Sequence, residues 1–326
     1  MTTRDLCFSL LLSSAALGFS GCGSTNNQAA QGGSRAGGTS GSTGGGAGGS
    51  SVGGAAGASV GGGGGSSGGG TGGTTVASCI NIADDLIADF TTDNGLSPVD
   101  GRSGGFYVYG DGSLAGQFDP PLVKDQPYPI DTTTGNTCSS PAGSFHVKAT
   151  GWGVWGAALG ADFMPRMPLD AGMAYDGKGF KTTYDASKYK GISFWAKAAA
   201  PLTRVQVSFP DVYTDAAANP SIIDPSISSC VYSTGASNCS PYLVKLGDST
   251  FPNYQDYQID TTWKRFDIFF EDTLQDQYNT GFVPPGNQIT VKYLTSVAIQ
   301  VNANFTATDV TPNDFEIWVD DINFIE

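Results

Sequence analysis

The sequence predicts an all-β fold, an antiparallel β-sandwich, carried behind a disordered Gly/Ser-rich linker. Three observations point there. Eight short segments between residues 86 and 324 set Val, Ile, Phe and Trp against polar residues with a period of two, the pattern of strands buried on one face. Sustained helical periodicity is almost absent. The acidity is aspartate, with Glu271, Glu316 and Glu326 the only glutamates; aspartate suits turns and is poor in helix interiors.

Residues 1–22 read as an export signal. Arg4 supplies the positive start, and the apolar run Leu6–Phe19 is too short to span a bilayer as a mature helix. The run ends in "FSGC", which resembles the lipobox of bacterial lipoproteins and implies cleavage before a lipid-modified Cys22. Phe19 departs from the Leu usual at its position. An ordinary secretory signal cut near Gly21 is the alternative. Gly23 gives no Asp-type inner-membrane retention signal, so the expected destination is the outer membrane or cell surface, with the membrane touched only through the lipid. Residues 23–76 are almost only Gly, Ser, Ala and Thr. Such a stretch buries nothing and does not fold; as a tether it reaches roughly 40 Å. Two GxSxG matches, "GSSVG" and "GASVG", lie inside it without the strand and helix a nucleophile elbow needs.

Residues 77–326 are expected to form one β-sandwich domain. The strands are "LIADF" (86–90), "FYVY" (106–109), "SFHVKAT" (144–150), "GISFWAK" (191–197), "RVQVSF" (204–209), "WKRFDIFF" (263–270), "LTSVAIQV" (294–301) and "FEIWVDDINF" (315–324). Their alternation places Phe145, Val147, Ile192, Phe194, Val205, Val207, Phe209, Phe266, Ile268, Phe270, Val297, Ile299 and Val301 between two sheets. "DTLQDQYN" (272–279) is expected to hold one helical turn, and 110–143 and 210–262 are expected to be long connections. With Cys7 removed and Cys22 lipidated, Cys79, Cys138, Cys230 and Cys239 remain, an even count that suits two disulfides in an exported protein. Three pairings are possible; the short closure "CVYSTGASNC" favours Cys230–Cys239, which leaves Cys79–Cys138. A zinc site is disfavoured, with no CxxC and the sole histidine, His146, far from the close pair.

A formal net charge of −14 argues against nucleic acid and anionic membrane as partners, since both are held by Lys/Arg patches. A glycosidase needs two carboxylates facing each other across a sugar, and no ExDxxE-like strand motif is present. HExxH is impossible with one histidine. His146 lies mid-strand beside Lys148 and reads as a strand histidine, not a triad member. "YGDGS" (109–113) could form a cation loop, but Asp-Gly is far more often a turn.

The order "LIADF", "SFHVKATGWGVWGAALG", "YDASKYKGISFWAKA", "W..FDIFF" and "IWVDDINF" resembles the galactose-binding-like jelly rolls, above all family 11 carbohydrate-binding modules and related domains of bacterial surface proteins. It covers most of 84–326; the cysteine-bearing stretch 213–260 departs from a compact module. The resemblance implies a structural Ca²⁺ where the first and last strands meet, on Asp89 with Asp320 or Asp321. Calcium takes several carboxylate and carbonyl oxygens, and a carboxylate set into a buried strand needs some such partner. The alternative is an ordinary rim, one Asp capping backbone N–H groups and its neighbour facing water.

The resemblance also implies polysaccharide, β-glucan or a related polymer, as ligand. Sugars are held by aromatic platforms flanked by polar groups. Alternation turns Tyr107, Tyr109, Trp195, Gln206, Ser208, Arg265, Asp267, Gln300 and Asn302 away from the core, and these would line one groove if their strands share a sheet. Trp152 and Trp155 in "GWGVWG" are further platforms unless they pack against the glycines. The expected protein is a monomeric, non-catalytic, surface-anchored carbohydrate-binding lipoprotein. The competing readings are a protein-binding or adhesion lipoprotein and a glycoside hydrolase with an unrecognised Asp pair.

Overall fold

All eight alternating segments become strands. The computed structural model describes residues 85–326, apart from 125, 139–140, 173, 175, 220–229, 231, 234–235, 238, 248–257, 276–283, 306–309 and 312–313. The signal, the linker, Cys22 and Cys79 lie outside the described residues. In chain order the strands are β1 (Leu86–Ala88), β2 (Phe106–Gly110), β3 (Gln117–Asp119), β4 (Phe145–Thr150), β5 (Ala157–Asp162), β6 (Gly191–Ala198), β7 (Val205–Phe209), β8 (Tyr232–Ser233), β9 (Ala236–Ser237), β10 (Tyr242–Leu246), β11 (Lys264–Phe269), β12 (Leu274–Gln275), β13 (Ser296–Val301), β14 (Asn304–Phe305), β15 (Val310–Thr311) and β16 (Phe315–Ile325).

Two antiparallel sheets face each other. Sheet 1 runs β11-β6-β16-β4-β3, with β1 also on β16; sheet 2 runs β12-β10-β7-β13-β5-β2. From β4 to β7 successive strands alternate between the sheets, the jelly-roll way of closing a sandwich. The core is the one alternation defines. Every inner-face residue named above is at most 5% exposed. Among the described residues no helix is long and apolar enough to cross a membrane.

Four expectations need correction. β5, "AALGAD", lies inside sheet 2 between β13 and β2, yet two of its three outward positions are Ala158 and Gly160, so it shows little apolar–polar alternation and little β-propensity. In stretch 272–279 the one helical turn among the described residues is a 3₁₀ turn, Phe270–Asp272, that ends at its first residue; Leu274 and Gln275 pair with β10, and 276–279 lie outside the described residues. The connection 110–143 contains β3. The connection 210–262 contains β8, β9 and β10, the last a full partner of β7. Cys230 and Cys239 are bonded to each other. Cys138 is also disulfide-bonded, and its partner is outside the described residues.

Arg102 lies in no alternating segment or motif, yet it is fully buried. Its Nε donates to Val99 O (3.0 Å) and its Nη2 to Leu86 O (2.8 Å). The guanidinium lies 5.3 Å from the Phe324 ring centre and 5.5 Å from that of Tyr184. One cation thus joins β1, the turn after it and the end of β16.

Candidate functional site

The residues expected to share one groove fall on opposite sides of the molecule. Tyr107, Tyr109, Gln206, Ser208, Gln300 and Asn302 belong to the outer face of sheet 2. Trp195, Arg265 and Asp267 lie on β6 and β11, in sheet 1. Alternation gave the outward direction of each residue correctly; it carries no information about which sheet a strand joins.

On sheet 2 the pairing register sets out two rows. One reads Tyr109, Ala158, Gln300, Gln206, Lys245. The next reads Tyr107, Gly160, Ala298, Ser208, Leu243. Small residues therefore floor the sheet beside the tyrosines. Ser208 is on this face but buried, unlike its polar neighbours. Gln300 Nε2 donates to Asn302 Oδ1 (2.5 Å), and Asn302 Nδ2 donates to Gln206 Oε1 (3.2 Å). The amides form a short ladder with donors and acceptors at the surface.

Tyr107, Tyr109 and Trp155 make a continuous aromatic strip, with ring centres 5.8 and 5.9 Å apart. Tyr107 is 36% and Trp155 37% exposed. The two tryptophans of "GWGVWG" separate cleanly. Trp152 is buried: a Cβ at Gly110 or Gly116 would meet its ring at 2.5 or 2.3 Å, and its Nε1 donates to Gln117 O (3.2 Å). Only glycines leave room for that indole. Trp155 keeps its ring at the surface.

At the far end of the strip the Tyr107 hydroxyl donates to Asp162 Oδ1 (2.9 Å). Burial of that hydroxyl, opposed by Lys181 and reinforced by Asp162, holds the phenol well above its ordinary value. Lys181 Nζ bridges Asp162 (2.9 Å) and Asp215 (3.0 Å). Burial works against the Lys181 charge, but Asp215, Tyr107 and Asp162 outweigh it and raise its pKa. Arg166 joins Asp162 to Asp176. This network fixes one end of the strip.

The outer face of sheet 1 is organised differently. His146 stacks on Trp318, ring centres 4.4 Å apart and 3° from parallel, and its Nε2 meets Glu316 Oε1 at 2.9 Å. Lys197 Nζ lies 4.8 Å from the Trp318 ring centre and 5.3 Å from that of Trp263. Arg265 Nε donates to Asp267 (2.8 Å). Trp263 and Trp318 thus hold cationic or planar partners, and neither they nor Trp195 is as exposed as Tyr107 or Trp155. His146 is a partly buried strand histidine, as expected.

The paired aspartates mark the point where β16 changes partners. Phe315–Val319 pairs with β4, whereas Ile322 and Asn323 pair with β1, and the register against β6 shifts between Asp320 and Asn323. Asp321 has φ +44°, left-handed backbone that aspartate tolerates better than most residues. Asp320 is fully buried and accepts from Asn136 N on Oδ2 (3.0 Å) and from Asp321 N on Oδ1 (2.8 Å). It is the N–H cap of the rim alternative. Asp321 does not face water: it is 4% exposed, takes Asn136 Nδ2 (2.9 Å) on Oδ2, and has a buried Oδ1 with no partner. Burial, reinforced by Asp89 and opposed by Asn136, raises its pKa. Asn323 Oδ1 is also buried without a partner. Among the described residues no three His, Cys, Asp or Glu side chains are grouped to hold a metal. A cation here would rest on Asp89 and Asp321 with amide and backbone oxygens, a mixture calcium accepts.

"YGDGS" is not a cation loop. Asp111 accepts from Val154 N (2.6 Å), Trp155 N (2.8 Å) and Gly156 N (2.9 Å) on Oδ2, and from Ser113 on Oδ1. Its carboxylate is consumed by N–H and O–H donors.

The fold is an all-β sandwich, with the aromatic strip Tyr107–Tyr109–Trp155 at the β2 edge of sheet 2. No protein-family model matches the chain, and no curated protein does. Among solved structures it is similar to a family 11 carbohydrate-binding module from Clostridium thermocellum in complex with a β-1,3-1,4-mixed-linked tetrasaccharide, with TM-score 0.38, 14% identity, and 74% of this chain and 94% of that one covered. A family 11 module of a cellulosomal cellulase of the same organism gives 0.37, 15%, 74% and 92%. A family 30 module from a cellulosomal cellulase of that organism gives 0.33, 14%, 67% and 95%. Similarities of this size identify neither a ligand nor a site in this chain.

Proposed function

We propose that the aromatic edge of sheet 2 binds polysaccharide, β-glucan or a related neutral polymer, without catalysis. The observation that supports this most directly is the exposed strip Tyr107–Tyr109–Trp155 beside the Gln206–Asn302–Gln300 ladder: apolar ring faces next to amide groups suit the two surfaces of a sugar. Asp162 and Asp215 come together on this face but are both bound by Lys181, which does not suit an acid–base pair. Affinity electrophoresis against β-glucans and other polysaccharides tests the reading. Retardation by at least one neutral polymer is expected; none across a broad panel would sink it. We further propose that Cys22 carries a lipid and that the linker tethers the domain to the outer membrane or cell surface. The mass of the mature N-terminus tests that.

A structural calcium at the β1–β16 corner belongs to the same proposal, on Asp89, Asp321 and Asn323. Its contribution would be charge neutralisation of the buried Asp321. Without the ion, Asp321 carries a desolvation penalty at neutral pH, because its folded-state pKa lies above 3.8. That penalty is relieved as pH falls through the raised value toward 3.8. Calcium at a hundred times its Kd adds about 2.7 kcal/mol. We expect Tm to rise with calcium and fall with EDTA, and the Asp321→Asn variant to lose the calcium response while gaining stability in EDTA. A Tm indifferent to calcium at pH 7 would remove the ion from this corner.

A further inference from the structure

The sheet 2 strip is only partly built on a strand. Tyr107 and Tyr109 are fixed by β2, but Trp155 sits on the exposed turn between β4 and β5. Val154, Trp155 and Gly156 lack strand partners for their N–H groups at this point, and Val154 is itself exposed. A turn of this kind opens readily unless something holds it.

Ala303 N and Gln300 Nε2 donate to the Trp155 carbonyl (3.3 Å each), and the N–H groups of the turn are held by a side chain more than forty residues away in sequence. Asp111 Oδ2 collects three consecutive N–H groups, those of Val154, Trp155 and Gly156. Asp111 N also donates to Gly156 O (3.1 Å). On the other oxygen Ser113 donates through both N and Oγ, and Gly153 N donates to Ser113 Oγ (3.1 Å). Three adjacent N–H groups converging on one carboxylate oxygen form an anion nest, and charge-assisted bonds are about twice as strong as neutral ones. Burial works against the Asp111 charge, but Ser113, Gly156 and Val154 outweigh it and keep the carboxyl below its ordinary value. The nest fixes the backbone on both sides of the Trp155 Cα and so sets where the indole meets Tyr109.

We propose that Asp111 is the positioning residue of the ligand face, holding Trp155 in line with Tyr107 and Tyr109. It need not touch the ligand. This rests on the polysaccharide reading above for its consequence, but not for its geometry.

The test joins a structural readout to a binding one. In wild-type protein, hydrogen exchange at the Val154, Trp155 and Gly156 amides should be slow despite the exposure of Val154 and Trp155; exchange at the rate of an open chain at those two would overturn the proposal without any variant. Asp111→Asn keeps the shape but places an NH₂ donor or a single uncharged oxygen before the three N–H groups. It should free those amides to exchange and broaden the 19F signal of 5-fluorotryptophan at position 155, leaving the other tryptophan signals unchanged. Affinity for a retarding polysaccharide should fall about tenfold, as in Trp155→Ala, and the double variant should fall no further. Asp111→Glu, which retains the charge, should restore part of the signal. Additive losses in the double variant, or an unchanged Trp155 signal in Asp111→Asn, would overturn it. If wild-type protein bound no glycan, the reading under the previous heading would fall, and Asp111 would still stand or fall on exchange and fluorine signals.

Discussion

Replacing Arg102 with alanine is expected to cost about 3–5 kcal/mol of folding stability, enough to unfold a marginal domain near body temperature. The side chain is fully buried, so its removal leaves a cavity between Tyr184 and Phe324. It also leaves Leu86 O without its side-chain donor, and a buried acceptor stripped of its partner is costly. Arg102→Met separates the two contributions. It refills most of the volume and removes Nη1, a buried donor that already has no partner, so it should cost about half as much. Urea unfolding midpoints decide this. An alanine variant within about 1 kcal/mol of wild type would show that Arg102 is a passenger in the aromatic cluster.

Replacing Tyr109 with alanine is expected to weaken polysaccharide binding by about ten- to a hundredfold, roughly 1.4–2.7 kcal/mol. Tyr109 is the middle ring of the strip, within 6 Å of both neighbours, so its loss breaks the platform in two. Trp195→Ala is the matched control on the opposite sheet, and it should leave affinity unchanged. Isothermal titration with a soluble polymer that retards the wild type distinguishes them. Equal losses from both variants would mean that ligand does not choose sheet 2.

The contrast between these two variants shows where the sequence was informative. The sandwich and its core were legible because burial on one face writes itself as alternation, from Phe145 and Val147 through Val297 and Ile299. The outward direction of Tyr107, Tyr109, Gln206 and Gln300 was legible for the same reason. Sheet membership was not: Trp195 and Gln206 obey the same alternation, and only long-range pairing separates them. β5 was missed because Ala158 and Gly160 are small for packing reasons at the sheet surface and imitate a loop. Arg102 and Asp111 were missed because each works through contacts distant in sequence. The convergence of β1 with the aspartates of β16 was expected from the resemblance. The division of labour between Asp320, which caps N–H groups, and Asp321, which keeps a bare oxygen, depends on a change of strand partner that periodicity cannot show.

β16 is central in sheet 1, flanked by β6 on one side and by β4 and then β1 on the other. It is also the last of the sandwich strands to be synthesised. Vectorial synthesis therefore delivers the keystone last, and until it arrives β4 and β6 have no common neighbour to bring them together.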